Sequence, residues 1–185
     1  PAIEILSVHA VSSTALIRYY QSRRIAVEIA DQWLREVRYK NGEKNYYALG
    51  FKNDRGGYEL RAPYFKGSNY PKAPTTIKNQ ASSLAVFEGF FDFLSYQTIH
   101  LNQPVSLRDF LVLNSTSFFE QQLPIMQSYE RVYLYLDNDK AGSKYTALAV
   151  ATSSQKFNDE RALYAGYKDL NDWHQFMGKG PRPAA

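Results

Sequence analysis

The chain has 185 residues, 44% of them hydrophobic and 22% charged, which is enough for a packed core and unlike a disordered tail. It contains no cysteine, which excludes disulfides, thiolate zinc sites, iron–sulfur clusters and a cysteine nucleophile. The net charge of +4 is uneven: residues 1–80 hold 13 Lys/Arg against 7 Asp/Glu, and residues 81–185 hold 9 against 11. A basic part that favours polyanions thus precedes an acidic part that favours a divalent cation.

No apolar run approaches the ~20 residues that span a bilayer, and no signal segment opens the chain, so a cytoplasmic protein without membrane contact is expected. The start at Pro1 reads as a processed or excised piece of something longer. Residues 1–11 lack a period and read as a loose arm. Ser12-Ser13-Thr14 caps a helix through Leu16, Ile17 and Tyr20, closed by Arg23-Arg24. A second helix follows from about Ala26, with Val27, Ile29, Ala30 and Trp33-Leu34 as apolar contacts. Strands follow at Val37–Tyr39 and Tyr46–Phe51 around the Asn41-Gly42 hairpin signal. A third strand, Tyr58–Arg61, is extended past Pro63 by Tyr64–Lys66. Loop residues fill 67–74, and Thr75–Lys78 is a short strand.

From residue 84 the pattern alternates. Strands at Leu84–Phe87, Phe110–Leu113, Arg131–Leu136 and Arg161–Tyr164 are separated by helices at 90–101, 117–129 and 140–154 and followed by one at 169–177. This is an α/β signature, a parallel sheet with helices on both faces. The division expected is a small basic α+β subdomain at 1–80, the sheet domain at 81–178 and a frayed tail at 179–185.

Ligands of open parallel sheets bind beyond the carboxyl ends of the strands. There the sequence places Glu88 with Asp92, then Asp137-Asn138-Asp139, then Lys168-Asp169-Leu170-Asn171-Asp172. Taken singly, Asp92 and Asp169 read more readily as helix caps, and Asp137 and Asp139 as turn residues with Asp139 an N-cap, than as catalytic groups. Their recurrence at strand ends points to a metal site, with magnesium suited to an all-oxygen set. Gly89 and Ala141-Gly142 either let a phosphate approach a helix N-terminus or allow tight packing. His9, His100 and His174 are scattered.

Phe87-Glu88-Gly89-Phe90-Phe91-Asp92 resembles the E-G-x-x-D motif of the Toprim domain, and Leu136-Asp137-Asn138-Asp139-Lys140-Ala141-Gly142 resembles its D-x-D-x-A-G motif. The domain is shared by DnaG-type primases, topoisomerases, nucleases and recombination proteins. The preceding part is similar to the primase core. Arg24–Ala30 resembles its helix-pair opening, Gly56-Gly57-Tyr58-Glu59-Leu60-Arg61 its G-hydrophobic-x-x-R strand, and Pro71-Lys72 the proline-lysine before Toprim. The fuller wording resembles primase-like proteins of plasmids and mobile elements. Two departures stand out: Ser115 replaces a glycine after the second strand, and Asn171 takes the second acidic place of the third motif.

The resemblance implies a DNA primase-type nucleotidyltransferase that makes short primers on single-stranded DNA. Glu88, Asp137 and Asp139 would be catalytic and hold Mg2+ or Mn2+ with Asp169 and Asp92. Arg61, Lys72, Lys78, Lys140 and Lys144 would contact nucleotide or DNA phosphates. Nucleoside triphosphates, a template strand and a replicative helicase are the implied partners. A Toprim nuclease, or a non-catalytic DNA-binding module of a larger primase, stays open as an alternative. Topoisomerase action does not fit 185 residues, which leave no room for a strand-passage domain.

Overall fold

The structure is a computed structural model that describes residues 3–104 and 106–177. The chain forms two compact units, divided between Thr75 and Thr76. The expected tail at 179–185 lies outside the described residues.

The first unit is an antiparallel five-stranded sheet in the order β1-β2-β3-β4-β5 with two helices. Its strands are β1 (Glu4–His9), β2 (Leu34–Asn41), β3 (Lys44–Lys52), β4 (Tyr58–Ala62) and β5 (Phe65–Ser68), and its helices are α1 (Thr14–Ser22) and α2 (Val27–Trp33). Three expectations need correction. Residues 4–9 are not a loose arm: β1 pairs antiparallel with β2, as an edge strand whose mostly exposed side chains leave no hydrophobic period to read. Phe65-Lys66 does not prolong the third strand but turns back as β5, with Ala62 paired to Phe65 across the Pro63-Tyr64 turn. Ser13 stands at the N-cap of α1 without a side-chain cap bond. The buried carboxylate of Glu36 instead accepts the Ser12 and Ser13 N–H groups at 3.2 and 2.8 Å. Val37, Tyr39, Ala48 and Leu60 form the buried centre of the sheet.

The second unit is built on the sheet β10-β9-β7-β8-β6. Its elements run β6 (Thr75–Ile77, beginning at the unit boundary), β7 (Ser83–Phe87), α3 (Phe90–Ile99), β8 (Asp109–Val112), α4 (Phe119–Gln127), β9 (Arg131–Tyr135), α5 (Lys140–Thr152), β10 (Phe157–Asp159) and α6 (Leu170–Phe176). β7 runs parallel to both β8 and β9, and β9 parallel to β10. Leu84, Ala85, Val86 and Phe87 are all at most 1% exposed, as a strand covered on both faces requires. Leu84 and Val86 join the core that holds Phe119 and Met126 of α4 and Ala149 of α5. Phe87 packs against Phe93 and Tyr96 of α3.

The fourth parallel strand is not at 161–164. Phe157–Asp159 takes that place, and Arg161–Tyr164 is a turn of 3-10 helix. Asp159 forces the turn by accepting from the Arg161 N–H and guanidinium, while Tyr164 buries its ring and donates its hydroxyl to the Leu136 carbonyl at 2.7 Å. Tyr164 of the Ala-Leu-Tyr run therefore enters the core without strand pairing, while Ala162 and Leu163 stay exposed.

Candidate active site

Strand order sets the site. From β7 the chain crosses one way to β8, and from β9 it crosses the other way to β10. The gap between the carboxyl ends of β7 and β9 is thus the switch point where parallel sheets bind ligands. Glu88 follows β7 and Asp137 follows β9 by two residues.

Glu88, Asp137 and Asp139 each offer a carboxylate oxygen, and these oxygens lie within 4.8 Å of one another. Glu88 Oε2 accepts the Asp137 N–H at 3.3 Å. Asp139 is the N-cap of α5 and accepts the Gly142 N–H at 2.9 Å. Asp169 caps α6 through the Asp172 N–H at 2.7 Å. It follows the 3-10 turn rather than a strand end, because β10 closes ten residues earlier. Lys168 Nζ stands 3.6 Å from Asp137 Oδ2 and 3.7 Å from Asp169 Oδ2.

Burial, then the charges of Glu88 and Asp169, push the Asp137 carboxyl up to about 7, and Lys168 offsets only part of this. A buried carboxylate crowded by like charges and facing other oxygen donors fits a hard divalent cation. Glu88, Asp137 and Asp139 are the residues that fit one.

Asp92 lies outside this cluster. It is 6% exposed and its Oδ1 accepts the N–H of buried Asn171 at 3.0 Å. Asn171 in turn donates to Ser95 Oγ at 2.7 Å. Asp92 and Asn171 therefore join α3 to α6.

The model of the Toprim-like family matches residues 85–174. Residues 85–174 form a Toprim-like domain. A second family model, described as a domain of unknown function (DUF8464), matches residues 5–70. Among solved structures, the chain is similar to the primase fragment of the bacteriophage T7 primase-helicase protein, at 16% identity and a TM-score of 0.63, covering 97% of this chain and 78% of that one. It is also similar to T7 primase domains solved with the lagging-strand DNA polymerase, an RNA/DNA hybrid and dTTP (16% identity, TM-score 0.53, 90% and 85% covered). A third likeness is to the zinc-binding and RNA polymerase domains of Aquifex aeolicus primase (15% identity, TM-score 0.57), of which this chain spans 53%. The chain thus shares the fold of the T7 primase fragment over 97% of its length. No curated protein matches it.

In the Toprim-like domain Lys140 opens α5 directly after Asp139, and Lys144 one turn later ion-pairs with Glu120 at 3.9 Å across exposed surface. Lys78 is placed elsewhere. It contacts the Tyr129 hydroxyl and lies 3.5 Å from Asp109 Oδ2. Asp109 opens β8 and Tyr129 precedes β9, so this cluster sits at the amino ends of the strands, the edge opposite the acidic residues. Arg61 and Lys72 belong to the first unit. Arg61 is mostly buried, donates to the Leu60 carbonyl at 2.9 Å and ion-pairs with Glu59 at 3.9 Å, while Lys72 stands 6.0 Å from the Tyr70 ring centre.

Two residues of the site escaped the sequence reading. Lys168 is adjacent to Asp169 in sequence, but adjacency says nothing of a reach to Asp137. Asn138 occupies the variable middle of D-x-D, yet its amide donates to the Tyr164 and Tyr167 carbonyls at 3.2 and 2.9 Å. Its N–H also donates to the Lys168 carbonyl at 2.7 Å, docking the segment that carries the lysine.

Among the described residues, no helix is long and apolar enough to cross a membrane.

Proposed function

We propose that this protein is a primase-type nucleotidyltransferase that makes short primers on single-stranded DNA from nucleoside triphosphates. The observation that carries the reading is the meeting of Glu88, Asp137 and Asp139 at the switch point of a chain that follows the fold of a T7 primase fragment over 97% of its length.

Glu88, Asp137 and Asp139 would hold Mg2+ or Mn2+, with Asp169 beside them and Asp92 acting through its hold on α6. A divalent ion bound there supplies positive charge where negative charge develops during in-line phosphoryl transfer. Glu88 is only partly buried and lies where it can accept the proton of an attacking 3′-hydroxyl. Asp139 is oriented by its capping bond from Gly142. Lys140 and Lys144 at the start of α5, with Arg61 and Lys72 of the basic unit, would meet phosphates, so template binding should weaken steeply with salt. Lys78, tied to Asp109, is better explained as a structural residue. The T7 relative is a fragment of a primase-helicase protein, which supports a replicative helicase as a partner. A cytoplasmic setting and a mobile-element origin belong with the same reading.

The test is to incubate the protein with single-stranded DNA, labelled nucleoside triphosphates and Mg2+ or Mn2+, beside an Asp137→Ala/Asp139→Ala control. Metal-dependent short oligonucleotides absent from the control are expected. Shortened DNA without synthesis would reassign the carboxylates to a nuclease, and neither product would leave a DNA-binding module.

A further inference from the structure

We propose that Lys168 occupies the place of a second cation, so that the Toprim-like domain takes one divalent ion at Glu88, Asp137 and Asp139 and none between Asp137 and Asp169 while the lysine is present. The inference rests on the metal-dependent reading above and deepens it.

The ground is geometric. Two-metal phosphoryl-transfer sites hold their ions about 3.5–4 Å apart with shared carboxylates. Here Asp137 contributes to the acidic cluster, and its Oδ2 also faces the Lys168 ammonium, whose second partner is Asp169 Oδ2. One ammonium thus joins the two carboxylates that a second ion would join. It needs no octahedral shell, which suits a place short of ligands. The place is short of them because the third acidic motif offers Asn171 where a second carboxylate would stand. Asn171 is fully buried and engaged with Asp92 and Ser95.

The backbone fixes the lysine in this role. The Lys168 carbonyl accepts the Asn138 N–H at 2.7 Å, and the Lys168 N–H donates to Asp172 Oδ2 at 3.2 Å. Lys168 is therefore clamped between the D-x-D loop and the start of α6. The charges agree. Four carboxylates, Glu88, Asp137, Asp139 and Asp169, balance one divalent ion and one lysine to within a single charge; without the lysine they leave room for a second divalent ion. Lys168 is in this sense a positioning residue, bridging Asp137 and Asp169 and orienting both.

Mn2+ binding to the full chain tests this, counted by the loss of the free-ion electron paramagnetic resonance signal and by calorimetry. Wild type should bind one Mn2+ per chain. Lys168→Ala should bind two, with the broadened spectrum of spin-coupled ions. Lys168→Arg should return the count to one, and so should Asp169→Asn added to Lys168→Ala. Lys168→Gln, which keeps the stem, serves if the alanine variant fails to fold. Two ions in wild type, or one in a folded Lys168→Ala or Lys168→Gln, overturns the proposal. No Mn2+ bound to wild type overturns the metal-dependent reading itself, a separate result.

Discussion

A β-carbon added to Gly142 would lie 2.0 Å from the backbone oxygen of Asp137. Only hydrogen fits there, so the first turn of α5 packs directly on the loop that presents Asp137 and Asp139. Gly142→Ala is expected to displace that loop, destabilising the fold by about 1–3 kcal/mol and weakening Mn2+ binding tenfold or more. Thermal denaturation and calorimetry check both. An unchanged Mn2+ affinity would show that the loop geometry does not matter to the ion.

Gly89 is the contrasting case. A β-carbon there meets nothing closer than Asp92 Oδ2 at 3.5 Å, ordinary contact, and its backbone is extended. Packing therefore does not demand this glycine. Gly89→Ala is expected to change stability by less than about 1 kcal/mol. If primer synthesis nonetheless falls tenfold or more, the reason is approach of a ligand to the N-terminus of α3. Full activity would remove that role.

The raised pKa of Asp137 has a defined sign. A carboxyl held above its ordinary value contributes stability that is present at low pH and lost as pH rises through about 7. Asp137→Asn cannot ionise, so in metal-free protein it should melt higher than wild type at about pH 8 and no higher at about pH 4. Metal competes with this proton. Mn2+ affinity of wild type should rise roughly tenfold from about pH 6 to about pH 8, following the ionised fraction of Asp137, with proton release on binding. Calorimetry in buffers of different ionisation enthalpy measures that proton directly, and a flat profile would refute it.

Much of this site is legible in sequence because each motif is local. Glu88 follows a four-residue apolar strand, and Asp137 and Asp139 follow another, so strand ends and carboxylates are read together. What is not legible depends on tertiary partners. The strand at Phe157–Asp159 is three residues long with only Phe157 buried, and the more apolar Ala-Leu-Tyr run after it imitates a strand while Tyr164 serves the core instead. β1 is an exposed edge with no period. Lys168 and Asn138 acquire their roles only when the segment before α6 docks on the D-x-D loop. Asp92 and Asn171 look like site residues in a one-dimensional motif, and the fold uses them to join two helices.

Asp109 anchors the opposite edge of the sheet. It is 3% exposed and accepts the N–H groups of Asn79 and Ala81 and the Tyr129 hydroxyl at 2.7, 3.1 and 2.7 Å. Burial opposes its charge, but these donors and Lys78 outweigh it and hold the carboxyl below its ordinary value. Asp109→Ala strands three donors and should cost roughly 2–4 kcal/mol. Lys78 is largely exposed, so Lys78→Ala should cost less than about 1 kcal/mol. Denaturant melts give both figures. Mn2+ affinity should be unchanged in Lys78→Ala, and a severalfold drop would return Lys78 to the site.

Asn138 offers the most selective probe of the loop. Its side chain is exposed at the rim but donates to two carbonyls of the 161–168 segment. Asn138→Ala removes both bonds while leaving every carboxylate in place. Because the buried Tyr164 carbonyl still accepts the Tyr167 N–H at 3.1 Å and Tyr167 is only partly buried, the stability cost should be modest, about 1 kcal/mol. The larger effect should fall on the position of Lys168, through the carbonyl that the Asn138 N–H holds. Asn138→Asp is isosteric, cannot donate, and adds a negative charge between Asp137 and Asp139. If charge density alone governed the ion, the aspartate would tighten Mn2+ relative to alanine and to wild type. If the docked geometry governs it, both variants should weaken Mn2+ severalfold against wild type. The second outcome is expected, because the ligands are held by hydrogen bonds from outside the cluster and lose their orientation when those bonds are cut.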